Sequence, residues 1–301
     1  MADFPPILAT ACVPWTPQFE FDEQAFHREV RAIAEGVTRY IYIFGTAGEG
    51  YAVTDAQFAR IARTFWQVSV ECSATPVLGI ISISLPVIVE RIRTGYAIGF
   101  REFQISLPGW GALNDAELDA FFAHTCGAFP DCRFHHYNLM RVKRLLTSVE
   151  YRRLAAAHPN FIAVKAGTED PATVADLLAL SPRLRLYFTE FGYDIARRTH
   201  DVGLLISLSS VNYARAKAFV AGDNARRAAD LPDLRALLTG LLETAGTNYH
   251  MDGAHDKLLY RMLDPDFPLR LLPPYAHATE ADADRFRAIA EQTWLRPAPT
   301  P

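Results

Sequence analysis

The sequence predicts an α/β fold, specifically a (β/α)8 TIM barrel with a C-terminal helical extension. Strand-like and helix-like segments alternate eight times between residues 7 and 221. Most of the strand-like segments are continuous apolar runs, which are typical of parallel strands covered on both faces. Eight repeats of this alternation favour a closed barrel, and an open doubly wound sheet is the alternative.

Eight short segments have the aliphatic and aromatic composition of β-strands. The predicted strands are 7–13, 40–45, 76–82, 100–107, 132–138, 161–167, 183–190 and 202–209. The sixth, FIAVKAG, carries a single lysine among apolar residues.

A segment with helical spacing of apolar residues follows each predicted strand. The predicted helices are 22–36, 54–68, 86–97, 114–129, 147–158, 171–180, 193–199 and 212–221. Three of them begin with a capping box, in which the residue that caps the first turn is followed three positions later by Glu or Gln. These pairs are Thr54 with Gln57, Asn114 with Glu117, and Thr147 with Glu150.

The rest of the chain predicts a helical region rather than a second sheet. Residues 224–295 carry helical patterns and no strand signal. We therefore expect a barrel over residues 1–222 and a C-terminal helical region over 223–301 that packs on it. The last residues, RPAPTP, are predicted to be disordered.

Composition and charge argue against several kinds of partner. The 301 residues carry a formal net charge of −4, which gives no basic footprint for nucleic acid. No apolar run reaches the roughly 18 residues that a membrane span requires. The N-terminus lacks the basic segment of a secretory signal. The four cysteines form no CxxC pair, so we expect reduced thiols in a cytoplasmic protein.

Lys165 is the most unusual residue of the sequence. The chain has only four lysines, of which Lys143, Lys217 and Lys257 lie in polar or basic stretches. A lysine in a buried strand is rare unless it is paired or used. One interpretation is an ion pair with Glu190 or Glu49. The other is a Schiff-base nucleophile, because burial disfavours the ammonium and makes a neutral amine available.

The active site of a barrel forms at the carboxyl ends of its strands, where two further features fall. The second predicted strand ends in the glycine-rich turn GTAGEG, residues 45–50, whose backbone N–H groups and Thr46 hydroxyl could bind a small carboxylate. The simpler interpretation is a plain turn. Tyr137 ends the fifth strand and is either a core aromatic residue or a general acid/base beside Lys165.

The histidines do not predict a metal site. His135 and His136 are adjacent in a strand and point to opposite faces, and His124 lies on an outer helix. In the segment HMDGAHD, His250 and His255 lack the i, i+4 spacing of a helical zinc pair.

Three motifs in order resemble the dihydrodipicolinate synthase/N-acetylneuraminate lyase family of class I aldolases. GTAGE, residues 45–49, is similar to the family's G-T-T-G-E turn, YN, residues 137–138, to its Y-N-x-P segment, and IAVK, residues 162–165, to its lysine strand. The likeness extends over residues 7–215. It implies a (β/α)8 barrel, a homo-oligomer (usually a tetramer), and chemistry on pyruvate or another 2-oxo acid with an aldehyde partner. It implies no metal or organic cofactor.

The resemblance also implies roles for particular residues. Lys165 would form the Schiff base, Tyr137 would be the general acid/base, and Thr46 would relay protons to it. The backbone at Thr46 and Ala47 would bind the 2-oxo acid carboxylate. The remaining candidate substrate-binding residues are Gly45, Trp110, Arg141 and Ile206.

Several departures from the family pattern concern the substrate. Ala47 replaces the second threonine of the turn, and Met140 replaces the proline of Y-N-x-P. Pro108-Gly109-Trp110 stands where the synthase has a tyrosine pair, and P-x-W also occurs in hydratase-aldolases that act on arylidene pyruvates. Arg141 is the candidate for the synthase's carboxylate-binding arginine.

We therefore expect a lyase or dehydratase of a 2-oxo acid rather than dihydrodipicolinate synthase proper. The alternatives are that synthase, a non-catalytic relative that binds a 2-oxo acid, and a metal-dependent class II aldolase on the same fold.

Overall fold

The computed structural model describes residues 4–180 and 184–297. Eight parallel strands form a closed barrel in chain order, and β1 pairs with β8 to complete the ring. The strands are β1 (Ile7–Thr10), β2 (Tyr40–Ile43), β3 (Thr75–Gly79), β4 (Glu102–Ile105), β5 (Arg133–Asn138), β6 (Phe161–Ala166), β7 (Arg185–Phe188) and β8 (Gly203–Leu205). The predicted barrel is confirmed, and the open doubly wound sheet is excluded.

One α-helix follows each strand and covers the outside of the barrel. These helices are α1 (Glu23–Gly36), α2 (Asp55–Glu71), α3 (Leu85–Ile98), α4 (Asp115–Phe122), α5 (Ser148–Ala157), α6 (Pro171–Leu178), α7 (Glu190–Arg197) and α8 (Tyr213–Ala221). The three predicted capping boxes, at the starts of α2, α4 and α5, are all present.

The observed strands are shorter than the predicted ones. Cys12 and Val13, predicted to lie in the first strand, are buried but follow the end of β1. Apolar residues indicate burial, not strand pairing. At the carboxyl ends of the strands, the residues stay buried although their backbone no longer pairs with a neighbouring strand. Residue 183, where the seventh predicted strand begins, lies outside the described residues.

Most helices begin and end within three residues of the predicted bounds, and α7 and α4 show the clearest differences. α7 begins at Glu190, three residues before the predicted start, with Thr189 at its N-cap position. The helix predicted over 114–129 is α-helical only to Phe122 and continues as a π-helical turn over Ala123–Gly127. The Thr125 hydroxyl donates to the Phe121 carbonyl at 2.9 Å inside this turn.

Three further helices follow the barrel: α9 (Asn224–Ala245), α10 (Asp252–Tyr260) and α11 (Glu280–Gln292). They pack on the barrel helices, since the rings of Phe219 in α8 and Trp294 are 6.2 Å apart. Residues 224–297 contain no strand, as predicted. The domain boundary after residue 222 stays a prediction, and residues 298–301 of the predicted disordered end lie outside the described chain.

The barrel interior contains a buried polar network below the carboxyl ends of the strands. The Nε2 atom of His135 lies 2.6 Å from a carboxylate oxygen of Glu102 and 2.9 Å from the Tyr40 hydroxyl. His136 lies on the opposite face of β5, where its Nδ1 is 2.8 Å from the Tyr151 hydroxyl. The prediction that the two histidines face opposite ways is confirmed. Burial lowers the pKa of His136 to about 3, so this imidazole is neutral.

Two general features accompany this fold. All four cysteines carry free thiols. Within residues 4–180 and 184–297, none of the helices combines the length and the apolarity that crossing a bilayer would require.

Candidate active site

Lys165 lies near the end of β6, with Tyr137 of β5 as its register partner on one side. The residue is 2% exposed. Its Nζ donates a hydrogen bond of 2.5 Å to the hydroxyl of Tyr42 in β2. The same atom is 3.9 Å from the centre of the Tyr42 ring and 4.0 Å from the centre of the Tyr137 ring. Two tyrosines therefore enclose the amine.

Burial lowers the pKa of Lys165 to about 7. The carboxyl groups of Asp256 and Asp252 act in the opposite direction and do not cancel the cost of desolvation. A large fraction of the amine is therefore neutral near neutral pH, and a neutral amine is the form that attacks a carbonyl group.

Lys165 does not form the ion pair with Glu49 or Glu190 that was one interpretation of the sequence. Glu49 accepts hydrogen bonds from Trp15 Nε1 at 2.8 Å, Lys257 Nζ at 2.6 Å and the Leu272 backbone at 2.7 Å. Glu190 accepts from the backbone N–H groups of residues 207 and 209, both at 2.9 Å. Both carboxylates are thus used to hold loops and helices in place.

Lys257 lies in a helix, α10, as its polar helical stretch predicted, but its side chain is not exposed. It is fully buried in its ion pair with Glu49. Gly253 lies one helical turn earlier in α10 and faces the same side. An added Cβ at Gly253 would lie 3.0 Å from the Ala47 carbonyl, so α10 packs directly on the GTAGEG turn.

The GTAGEG turn brings its backbone close to the amine of Lys165. Phe44, just before the turn, has a left-handed φ of 59°. A Cβ added at Gly45 would lie 2.7 Å from Tyr42 Cε2 and 3.6 Å from Lys165 Nζ. Any side chain here would collide with Tyr42 and enter the space beside the amine, so this position requires glycine. Thr46 and Ala47, which follow, are both buried.

Tyr137 and Thr46 come together beside Lys165. Burial raises the pKa of the Tyr137 phenol, and Asp252 and Asp256 raise it further. Arg141 and a hydrogen bond with the Thr46 hydroxyl lower that pKa in part. The three predicted catalytic residues therefore form one cluster, although their roles stay predictions.

Of the other predicted substrate-binding residues, one is buried near the site and two are exposed. Ile206 is buried and lines a small cavity together with Asp256. Arg141 is exposed and forms an ion pair of 2.6 Å with Asp252 at the start of α10. Trp110 is 82% exposed, so the structure does not enclose its side chain with Lys165. Its backbone carbonyl accepts a hydrogen bond from Lys143 at 2.9 Å.

Three residues near the amine were missed by the sequence reasoning. Tyr42 lies in an apolar strand and looks like an ordinary core aromatic residue. Gln104, a polar residue in the middle of β4, is 1% exposed, and within the described chain its Nε2 has no hydrogen-bond partner. That nitrogen would lie 3.5 Å from a Cβ at Gly45. Asp256 belongs to α10 and gave no local signal.

A cavity of about 290 Å³ lies over the carboxyl ends of β6, β7 and β8. Its lining includes Gly167 and Thr168 after β6, Thr189 after β7, Ser207 after β8, and Asp256 from α10. Gly167 of this lining follows Lys165 by two residues, so the cavity lies at the end of β6 that carries the lysine. Within residues 4–180 and 184–297, no group of three or more His, Cys, Asp or Glu side chains is arranged to hold a metal ion.

Comparison with known proteins gives relatives of one kind. No protein-family model matches the chain. The chain is similar to the 4-hydroxy-tetrahydrodipicolinate synthase of Exiguobacterium sibiricum, with 24% identity over 170 residues. The match covers 56% of this chain and 57% of that protein, so it spans little more than half of the curated relative.

Solved structures match over nearly the whole chain. A dihydrodipicolinate synthase from Bacillus anthracis has a TM-score of 0.83 at 17% identity, covering 97% of this chain and 99% of that one. YagE, a prophage protein of the dihydrodipicolinic acid synthase family from E. coli K12 in complex with pyruvate, scores 0.80 at 15%, covering 97% and 99%. CdNal from Clostridium difficile, in complex with mannosamine, scores 0.80 at 15%, covering 97% and 100%.

Fold and site together define a (β/α)8 barrel with a buried lysine at the carboxyl end of its sixth strand. The chain has the fold of the dihydrodipicolinate synthase/N-acetylneuraminate lyase family, and the resemblance predicted from the three motifs is confirmed at that level.

Proposed function

We propose that the chain is a member of the dihydrodipicolinate synthase/N-acetylneuraminate lyase family and acts as a Schiff-base lyase on pyruvate or a related 2-oxo acid. One observation carries the proposal. The Nζ of Lys165 is buried between the rings of Tyr42 and Tyr137, at 3.9 and 4.0 Å from their centres. Desolvation there favours the neutral, nucleophilic amine.

In the proposed reaction, neutral Lys165 attacks the 2-oxo carbon and forms a carbinolamine. Tyr137, with Thr46 as its hydrogen-bond partner, moves protons to the leaving hydroxyl. Water departs and leaves an iminium ion bonded to Nζ. In a retro-aldol step the C4 hydroxyl loses its proton, the C3–C4 bond breaks, the aldehyde departs, and the iminium accepts the electron pair of the broken bond as an enamine. Protonation of this enamine at C3 and hydrolysis of the imine would release the 2-oxo acid. In a dehydration a C3 proton is removed instead, the enamine expels the protonated C4 hydroxyl as water, and hydrolysis of the imine releases the dehydrated 2-oxo acid.

The turn that follows Gly45 supports binding of the 2-oxo acid carboxylate. Thr46 and Ala47 are buried, and Gly45 lets this backbone approach Lys165. We propose that backbone N–H groups of this turn bind the carboxylate, because Ala47 offers no hydroxyl. The imine itself is the electron sink, so the proposed mechanism uses no metal or organic cofactor.

The second substrate is proposed to be an aldehyde other than that of dihydrodipicolinate synthase. Arg141, the candidate carboxylate-binding arginine, is paired with Asp252 at 2.6 Å. The position of the synthase's tyrosine pair holds Gly109 and the exposed Trp110. We further propose a homo-oligomer, in keeping with the family resemblance, and a cytoplasmic location, in keeping with the free thiols.

Borohydride reduction of the protein with a panel of 2-oxo acids tests this function, with intact mass as the readout. We expect one reduced adduct per chain with pyruvate or a close analogue. Lactate, which has no carbonyl group, is the control and should give none. An absence of adduct across the whole panel would contradict the proposed function.

A further inference from the structure

The cavity beside Lys165 contains several acidic groups and no lysine or arginine in its lining. Glu169, Glu190, Asp252 and Asp256 all contribute to the wall. The distribution of partners among these four carboxyl groups decides what charge a ligand would meet.

Three of the four acidic groups are already occupied. Asp252 pairs with Arg141, and Glu169 pairs with Arg235 at the protein surface. Glu190 accepts the Ser209 hydroxyl at 2.7 Å in addition to two backbone N–H groups. Two of these carboxylates are thus paired with an arginine, and one oxygen of the third accepts three hydrogen bonds.

Asp256 differs from the other three. Among residues 4–180 and 184–297, no side chain or backbone group donates a hydrogen bond to its carboxyl oxygens, and no cation lies within salt-bridge distance. Its electrostatic influence extends to Lys165, which lies deeper in the barrel. A ligand in the cavity would therefore meet one carboxyl group that the protein itself leaves unbonded.

The remaining wall consists of apolar side chains, hydroxyl groups at the strand ends, and His255, whose pKa is lowered by burial, so that it adds no positive charge at about pH 9. Leu208 follows β8, Leu238 and Leu241 come from α9, and Leu259 comes from α10. These side chains offer hydrophobic contact to a carbon skeleton and no partner for a charge. Hydroxyl groups are confined to the strand ends.

On the basis of the proposed function, we propose that this cavity binds the aldehyde partner and selects an apolar aldehyde that carries a cationic or hydroxyl group over one that carries a carboxylate. Leucines of α9 and α10 would contact its carbon skeleton. The carboxyl group of Asp256 would accept a hydrogen bond from its polar group. An anionic aldehyde would meet acidic groups without a free arginine or lysine in the wall.

The pKa of Asp256 decides the pH at which ligand binding should be measured. Burial raises its pKa to about 8, Asp252 and Glu190 raise it as well, and Lys165 lowers it. At about pH 9 the carboxyl group is mostly ionised. A cation should then bind most tightly, because its charge is paired away from water.

Calorimetric titration with three aromatic compounds tests the charge preference. The probes are benzylguanidinium, benzyl alcohol and benzoate, and the protein is the full chain after reduction with pyruvate, which fills the 2-oxo acid site. We expect the cation to bind at least about 10-fold more tightly than benzoate, with the alcohol in between. Asp256→Asn should reduce that ratio to about 3-fold or less. Asp284→Asn, the same change on the exposed face of α11, should leave it unchanged.

The outcomes separate this inference from the proposed function. If pyruvate forms no reduced adduct, the proposed function fails, and with it the assignment of an aldehyde to the cavity. If the adduct forms, the inference is overturned by benzoate binding as tightly as the cation. It is equally overturned by a preference that survives in Asp256→Asn, or by no binding of any probe at millimolar concentration.

Discussion

The amine of Lys165 donates a hydrogen bond of 2.5 Å to the hydroxyl of Tyr42 across the interior of the barrel. The two residues belong to β6 and β2, which are not neighbours in the sheet. This bond therefore depends on closure of the barrel. It directs the nitrogen toward the GTAGEG turn, where Gly45 provides the space.

Tyr42→Phe is expected to slow formation of the pyruvate imine by about 10-fold, because the amine loses the bond that orients it. The measurement is the rate at which a borohydride-reducible adduct accumulates, followed across pH. Loss of the acceptor oxygen also disfavours the ammonium, so the midpoint of the pH profile should move down. Tyr40→Phe, one layer lower in the same strand, should change neither quantity. Identical profiles for Tyr42→Phe and the wild type would show that the contact has no role in orienting the amine.

Tyr137→Phe is expected to slow the same reaction by about 100-fold, as loss of a general acid/base should. The ring remains, so packing against Lys165 is retained. Tyr187→Phe, in β7, is the matched control, since its hydroxyl donates to the Pro5 carbonyl at 2.9 Å rather than to the site. A Tyr137→Phe protein that reacts at the wild-type rate would remove this residue from the proposed mechanism.

The rate of imine formation should depend on pH through Lys165. Its pKa is lowered to about 7, mainly by burial. Below that value the ammonium dominates, so the rate should rise about 10-fold per pH unit and level off above it. The check is a profile of adduct formation at saturating borohydride. A rate that keeps rising toward pH 10 would mean that the amine has an ordinary pKa.

Lys257→Met is expected to lower the free energy of unfolding by about 3–5 kcal/mol, since it leaves the Glu49 carboxylate buried without its cation. Urea denaturation measures the change. Lys217→Met, on an exposed part of α8, is the control and should change stability by less than about 0.5 kcal/mol. A similar small loss for Lys257→Met would show that Trp15 and the Leu272 backbone are sufficient to hold Glu49.

Much of the site could be predicted because parallel strands bring their carboxyl ends to one edge. Thr46, Tyr137 and Lys165 all lie at or just beyond such ends, so local patterns were enough to group them. The capping boxes could also be predicted, because each one is encoded within four consecutive residues.

The parts that were missed depend on contacts between distant segments. Tyr42 meets Lys165 only after the barrel has closed, and Asp256 reaches the site only because α10 packs on the GTAGEG turn. The burial of Lys257 was not predicted, because its partner Glu49 lies in the GTAGEG turn, far from Lys257 in the sequence. Neither hydrophobic periodicity nor residue spacing carries that information.

The central claim is that Lys165 forms the imine, and peptide mapping after reduction with pyruvate and borohydride tests it most directly. We predict that the modified peptide contains Lys165 in the wild type and in Lys217→Arg, and that Lys165→Arg gives no adduct. Modification at another lysine, or an undiminished adduct in Lys165→Arg, would contradict the account.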